Sequence, residues 1–192
     1  MKTLSIPAKN RSKTGKADSR NIRRQGLVPC NLYGPSGNFA LMADERHLKK
    51  LVFTPEVFLA ELHIEGGPTV RAVVKETQFH PVTDRILHMD FHEVSDDRPV
   101  KVFLPVRIVG NAAGVRAGGR LKTVVRKLQV QGLIKDLPDF VDIDVTPLEI
   151  GDSIRVKDLK IPGVRFLDSP QNVIVNVAAT RASLKEEASA KS

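Results

Sequence analysis

The sequence contains no tryptophan, one tyrosine and one cysteine in 192 residues. A single cysteine excludes an intramolecular disulfide and any zinc site built on thiolates. Aromatic residues make up only 5%, so a core must be assembled mainly from Val, Ile and Leu. No run of about 18 apolar residues is present, so no helix is expected to span a membrane. The opening Met-Lys-Thr-Leu-Ser-Ile-Pro has no apolar segment behind it and does not read as a signal peptide, which points to a cytoplasmic protein. Signatures of catalysis are lacking as well. The serines form no nucleophile-elbow pattern, Cys30 has no basic partner nearby in sequence, and the glycine-rich stretch Gly110 to Arg120 has neither the spacing nor the Lys-Ser/Thr ending of a phosphate loop. That stretch reads as a flexible turn. The expectation is a protein that is not an enzyme and has no cofactor, metal or small-molecule substrate.

What is present is positive charge, at +8 net with an isoelectric point near 9.8, which favours polyanionic partners. Both halves carry the same excess: residues 1–93 hold 14 Lys/Arg against 10 Asp/Glu, and residues 94–192 hold 16 against 12. Only the first half concentrates it. Lys9, Arg11, Lys13, Lys16, Arg20, Arg23 and Arg24 crowd one short segment, with Asp18 the sole acid among them. A local cluster is a better footprint of nucleic-acid binding than a high isoelectric point.

Hydrophobic patterning divides the chain. Strands are expected at Lys2–Ala8, Val28–Tyr33, Phe39–Met42, Val57–Ile64, Thr69–Gln78 and Ile86–Glu93. Gly34-Pro35-Ser36-Gly37 and Glu65-Gly66-Gly67-Pro68 read as turns. Short helices are expected at Ala17–Gln25, capped by Asp18 or Ser19 and stopped at Gly26, and at Asp44–Leu51. Ser95 to Pro99 suits a linker. Beyond it, Val100–Val109, Leu121–Val130, Phe140–Val145 and Val173–Val177 read as strands, Asp152–Leu159 as one added helical turn, and residues 181–192 as a disordered tail or a frayed helix. The expected architecture is mostly β with short helices (α+β). It comprises a small β-barrel domain over residues 1–94 and an all-β domain over residues 95–180.

Two constellations stand out. On a helix, Lys16, Arg20, Arg23 and Arg24 recur at steps of three and four and share a face with Ser19 at its border, and Arg11 and Lys13 extend the charge into the preceding loop. Such a face either binds phosphates or is simply solvated. On a strand, His88, Asp90 and His92 alternate outward while Met89 and Phe91 point into the core. With His80 they could be metal ligands of a hydrolase. Side chains in a row diverge, however, and a polar row that hydrogen-bonds a partner such as an RNA minor groove is the stronger reading. Tyr33 could stack on a base or serve packing. Cys30, in an apolar run, reads as a buried inert thiol.

Arg11, Gly15-Lys16, Ser19-Arg20, Arg23, Gly26, Pro29, Leu32-Tyr33-Gly34, Gln78, His80-Pro81 and His88-Met89-Asp90-Phe91, in this order, resemble the N-terminal domain of the bacterial ribosomal protein L-twenty-five family, also called the Ctc general stress protein family. Gly114, Gly118-Gly119, Leu121, Leu128 to Val130, Leu137-Pro138, Val141 to Val145, Leu148, Ile150-Gly151-Asp152, Ile154 and Asp158-Leu159 are similar to the C-terminal β-domain of its two-domain members. The resemblance implies a large-subunit protein whose first domain binds 5S ribosomal RNA. It carries the RNA-binding role over to Arg11, Lys16, Ser19, Arg20, Arg23, Tyr33, Gln78, His88 and Asp90. It also implies contacts to neighbouring large-subunit ribosomal proteins. Asp18 departs from the small residue that members often carry there; an acid at that place would weaken phosphate attraction or cap the helix. The alternative functions are a general RNA-binding stress protein without strong sequence preference and, less well supported, a DNA-binding regulator.

Overall fold

The computed structural model describes residues 1–35 and 37–180, and it falls into two compact units. The expected tail at 181–192 lies outside the described residues. The first unit comprises Met1–Val102 with Leu133–Lys135. Its strands are β1 (Lys2–Asn10), β2 (Leu27–Gly34), β3 (Gly37–Asp44), β4 (Phe58–Ile64), β5 (Thr69–Phe79) and β6 (Ile86–Glu93). They close into a barrel in the order β1-β3-β2-β6-β5-β4. Pairs β1–β4 and β2–β6 are parallel and the others antiparallel.

The alternation seen in the sequence closes this barrel. Val28, Cys30 and Leu32 point inward from β2, Leu41 and Ala43 from β3, and Met89 and Phe91 from β6, all at 3% exposure or less. Ile6, Leu62 and Ala72 extend the same interior onto β1, β4 and β5. A six-stranded barrel has room only for side chains, so medium-sized aliphatic residues fill it without tryptophan. Helix α2 (Glu45–Val52) adds Leu48 and Leu51 to the same core. Its N-cap is Asp44, whose carboxylate accepts from the Arg46 amide.

Helix α1 (Lys16–Arg24) joins β1 to β2 and buries only Ile22. The expected cap is not there. The helix starts on Gly15, at φ +122°, with no side-chain cap, because Asp18, in the first turn, is turned toward Arg11. Gly26 ends the helix as expected, at φ +78°, a conformation that costs any residue with a Cβ about 1–2 kcal/mol.

The second unit comprises Phe103–Gly132 and the described residues from Asp136 on. It holds a four-stranded sheet ordered β10-β7-β9-β12 and a three-stranded sheet ordered β11-β13-β8. These strands are β7 (Val100–Val109), β8 (Arg120–Thr123), β9 (Lys127–Gly132), β10 (Val141–Asp144), β11 (Ser153–Arg155), β12 (Val164–Phe166) and β13 (Val173–Ala178). The mostly-β fold class is therefore as the sequence indicates, with three local corrections. Leu121–Val130 is two strands in different sheets, because the Val124 and Val125 amides both turn onto the Ile174 carbonyl and break the run. Gly110–Arg120 is no loose turn. It contains the helical turn α3 (Ala113–Arg116), where a Cβ on Gly114 would lie 2.6 Å from the backbone of Glu149 and Ile150. Asp152–Leu159 is β11 followed by a 3-10 turn (Val156–Asp158) rather than a helix turn alone, with the Asp158 carboxylate accepting from the Arg155 amide.

Candidate nucleic-acid interface

Strand β6 organises the polar face. Met89 and Phe91 are buried at 0% and 1% exposure, so His88, Asp90 and His92 face outward, each partly shielded by neighbours. The flanking strands bring polar partners to the same face. On β5, Gln78 lies opposite His88 and Glu76 opposite Asp90. On β2, Asn31 lies opposite Asp90 and Tyr33 opposite His92. A bulge between Val74 and Glu76 resets the alternation of β5 and turns Glu76 outward.

Within this face His88 Nδ1 is 3.6 Å from Asp90 Oδ1, and the Tyr33 and His92 rings are tilted at 5.4 Å between centroids. Burial, then the negative charges of Asp90 and Glu76, push the Tyr33 phenol above its usual pKa. Tyr33 therefore stays a neutral donor at any physiological pH. His80 belongs to a turn, where its Nδ1 accepts from the Val82 and Thr83 amides. Among the described residues no three His, Cys, Asp or Glu side chains are grouped to hold a metal ion.

Helix α1 stands beside β6 and supplies the charge. Lys16, Ser19 and Arg23 of the helix, Arg11, Thr14 and Gly15 before it, Asn31 of β2 and His88 of β6 line an open cleft of about 450 Å³. Arg23 is anchored there, its Nε donating to the Leu87 carbonyl at 2.8 Å. Arg11 is not the free cation that its place in a basic loop suggests. Its side chain is only 6% exposed, and its Nη2 donates to Asp18 Oδ2 at 3.0 Å and Ser19 Oγ at 3.3 Å. Arg20 and Arg24 lie on the other flank of the helix, where with Lys16, Ala17 and Asn21 they line a second open depression. The basic stripe is thus broad, and Lys16 in its middle borders both hollows.

The structure therefore gathers Arg11, Lys16, Ser19, Arg23 and His88 in one cleft. Gln78 and Asp90 sit beside His88 on the sheet, Tyr33 lies further along it, and Arg20 is on the far side of α1. Asn31, Thr14 and Glu76 escaped the sequence reading. Asn31 was available from the alternation of β2, between inward Cys30 and Leu32. Glu76 was hidden by the bulge.

The chain matches the Ribosomal L25p family over residues 6–91 and the C-terminal domain of ribosomal protein TL5 over residues 99–181. Large ribosomal subunit protein bL25 of Porphyromonas gingivalis is 40% identical over 186 residues, covering 95% of this chain and 96% of that protein. The proteins of the same name from Phocaeicola vulgatus and Carboxydothermus hydrogenoformans are 36% and 39% identical, each covering 95% of this chain. Two family matches in the order of the two β-rich units, with full-length identity at this level, leave one conclusion: the chain belongs to the bL25 family of large ribosomal subunit proteins.

Proposed function

We propose that this ribosomal protein, a structural component of the large subunit in the cytoplasm and not an enzyme, binds 5S ribosomal RNA through its N-terminal domain, residues 1–94. The observation that carries the reading is the single cleft in which cationic side chains of α1 meet the polar face of β6. Phosphate contacts supply affinity and base or sugar contacts supply discrimination, and the two kinds of group stand here side by side.

In this reading Lys16 and Arg23 neutralise phosphates from within the cleft and Arg20 from its outer flank. Ser19 and Tyr33 donate hydroxyl hydrogen bonds, and Gln78 and His88 read sugar hydroxyls and base edges in a wide RNA minor groove. Arg11 braces the first turn of α1 from behind. Asp90, an acceptor beside a polyanion, faces a base amino group or a 2′-hydroxyl rather than a phosphate. The second domain, residues 95–180, contacts neighbouring large-subunit proteins.

The test is competition binding of the full chain to 5S ribosomal RNA against an equal-length unrelated structured RNA at about 150 mM salt. A preference of about a thousandfold or more is expected for specific recognition. Equal affinities would replace this reading with that of a general RNA-binding protein.

A further inference from the structure

We infer that Asp18 is a specificity-determining residue, whose carboxylate takes the Arg11 guanidinium out of phosphate binding and so suppresses generic attachment of RNA to the cleft. The inference rests on the RNA-binding reading above and concerns the one acid within the basic segment.

Three observations converge on it. First, the helix does not use Asp18 as a cap, since α1 begins on Gly15 without a side-chain cap. Second, the carboxylate is aimed at Arg11, 3.0 Å from Nη2, and the same nitrogen also reaches Ser19 Oγ. Third, the Arg11 side chain is buried in the cleft wall at 6% exposure while Asp18 remains 28% exposed. The Arg11 guanidinium is thereby paired internally through its Nη2, and the carboxylate is the part of the pair that solvent meets. At physiological salt the screening length is about 8 Å, so a phosphate settling over the first turn of α1 feels that carboxylate.

The consequence differs between right and wrong RNA. A non-specific complex is held almost wholly by phosphates and samples many registers. Any cation freed in the cleft serves it. A specific complex is confined to the register fixed by Gln78, His88 and Asp90, so it gains only what that one register offers. Asp18 therefore penalises the wrong complexes more than the right one, at the cost of some total affinity.

The experiment compares Asp18→Asn and Asp18→Ala with the wild type in the full chain, each titrated with 5S ribosomal RNA and with the unrelated structured RNA across a salt series. The asparagine keeps an oxygen that can accept from Arg11 and removes only the charge. It carries the test should the alanine variant fold poorly. For the unrelated RNA the log–log salt slope is expected to steepen by about one unit, and affinity at 0.15 M salt to rise about fivefold. Affinity for 5S RNA is expected to rise less, so the preference falls. An unchanged slope, or equal gains for both RNAs, would overturn the inference. So would weaker binding of both RNAs by the asparagine variant, which would make the pair a structural brace alone. The wild-type titrations separate this from the parent reading: absence of any 5S preference there sinks the RNA assignment, whereas the slope on unrelated RNA still reads the effect of Asp18.

Discussion

The Nε of Arg23, on helix α1, donates to the carbonyl of Leu87, on strand β6, at 2.8 Å. Arg85 extends the link, bonding Glu45 of α2 and approaching the Arg23 carbonyl at 3.5 Å. The element that carries the charge is thus fixed to the strand that carries the polar edge, one residue from His88. Phosphate attraction alone leaves RNA free to slide. A rigid offset between cations and hydrogen-bonding groups is what turns attraction into register.

Arg20 and Arg23 should accordingly behave differently. Arg20→Ala, on the outer flank, is expected to shallow the salt slope by about one unit and to leave the preference for 5S RNA intact. Arg23→Lys keeps the charge but not the donor geometry that reaches Leu87. It is expected to keep the slope and lose preference. Competition titrations of both variants decide this, and identical behaviour of the two would remove the distinction drawn between the flanks of α1.

Asp90→Ala is expected to do the converse of Arg20→Ala. Losing one charge-assisted hydrogen bond is worth about 1.5–3 kcal/mol, so discrimination should drop by roughly ten- to a hundredfold while the salt slope barely moves. Circular dichroism checks that the barrel persists. A variant that binds 5S RNA with undiminished preference would show that Asp90 does not face the RNA.

The barrel was legible because its strands are half-buried, and period-two alternation records that directly, as in Val28, Cys30 and Leu32 against Asn31. The outward row His88, Asp90 and His92 followed from the same rule. What escaped depended on tertiary partners. The Arg11–Asp18 pair joins a loop to a helix turn, and nothing in spacing distinguishes an acid that caps from one that pairs. The bulge before Glu76 inverts one strand's alternation without leaving a glycine or proline as a signal. The division of Leu121–Val130 between two sheets was equally silent, since both pieces are rich in apolar residues.

Glu45 provides a pH dependence whose sign is fixed. It is nearly buried, and hydrogen bonds from Arg85, with support from Lys49, hold its carboxyl below the ordinary 4.5. A carboxylate depressed on folding stabilises fully above its unfolded pKa and loses that contribution as pH falls through the folded value. Glu45→Gln should therefore be less stable than the wild type at pH 7, with the gap closing as pH drops below 4.5. Urea midpoints across a pH series measure it, and a gap independent of pH would assign the effect to packing.

Cys30 offers a probe of the closed barrel. It sits on β2 between β3 and β6, opposite Leu41 and Met89 in the ladder, with its side chain in the barrel interior, and it is 1% exposed. Burial, then the charge of Asp90, pushes its thiol pKa up to about 12. Only the thiolate reacts with disulfide and alkylating reagents, so at pH 8 the folded protein should label almost solely through opening. Ligand that binds only the closed barrel slows such opening by mass action. At a hundred times its dissociation constant, 5S RNA should slow labelling roughly a hundredfold. The unrelated RNA at the same concentration should have little effect. Slow labelling in the free protein with no further protection by 5S RNA would mean that the thiol is reached by a local motion uncoupled from the cleft. Equal protection by both RNAs would argue that the cleft binds phosphate without recognition.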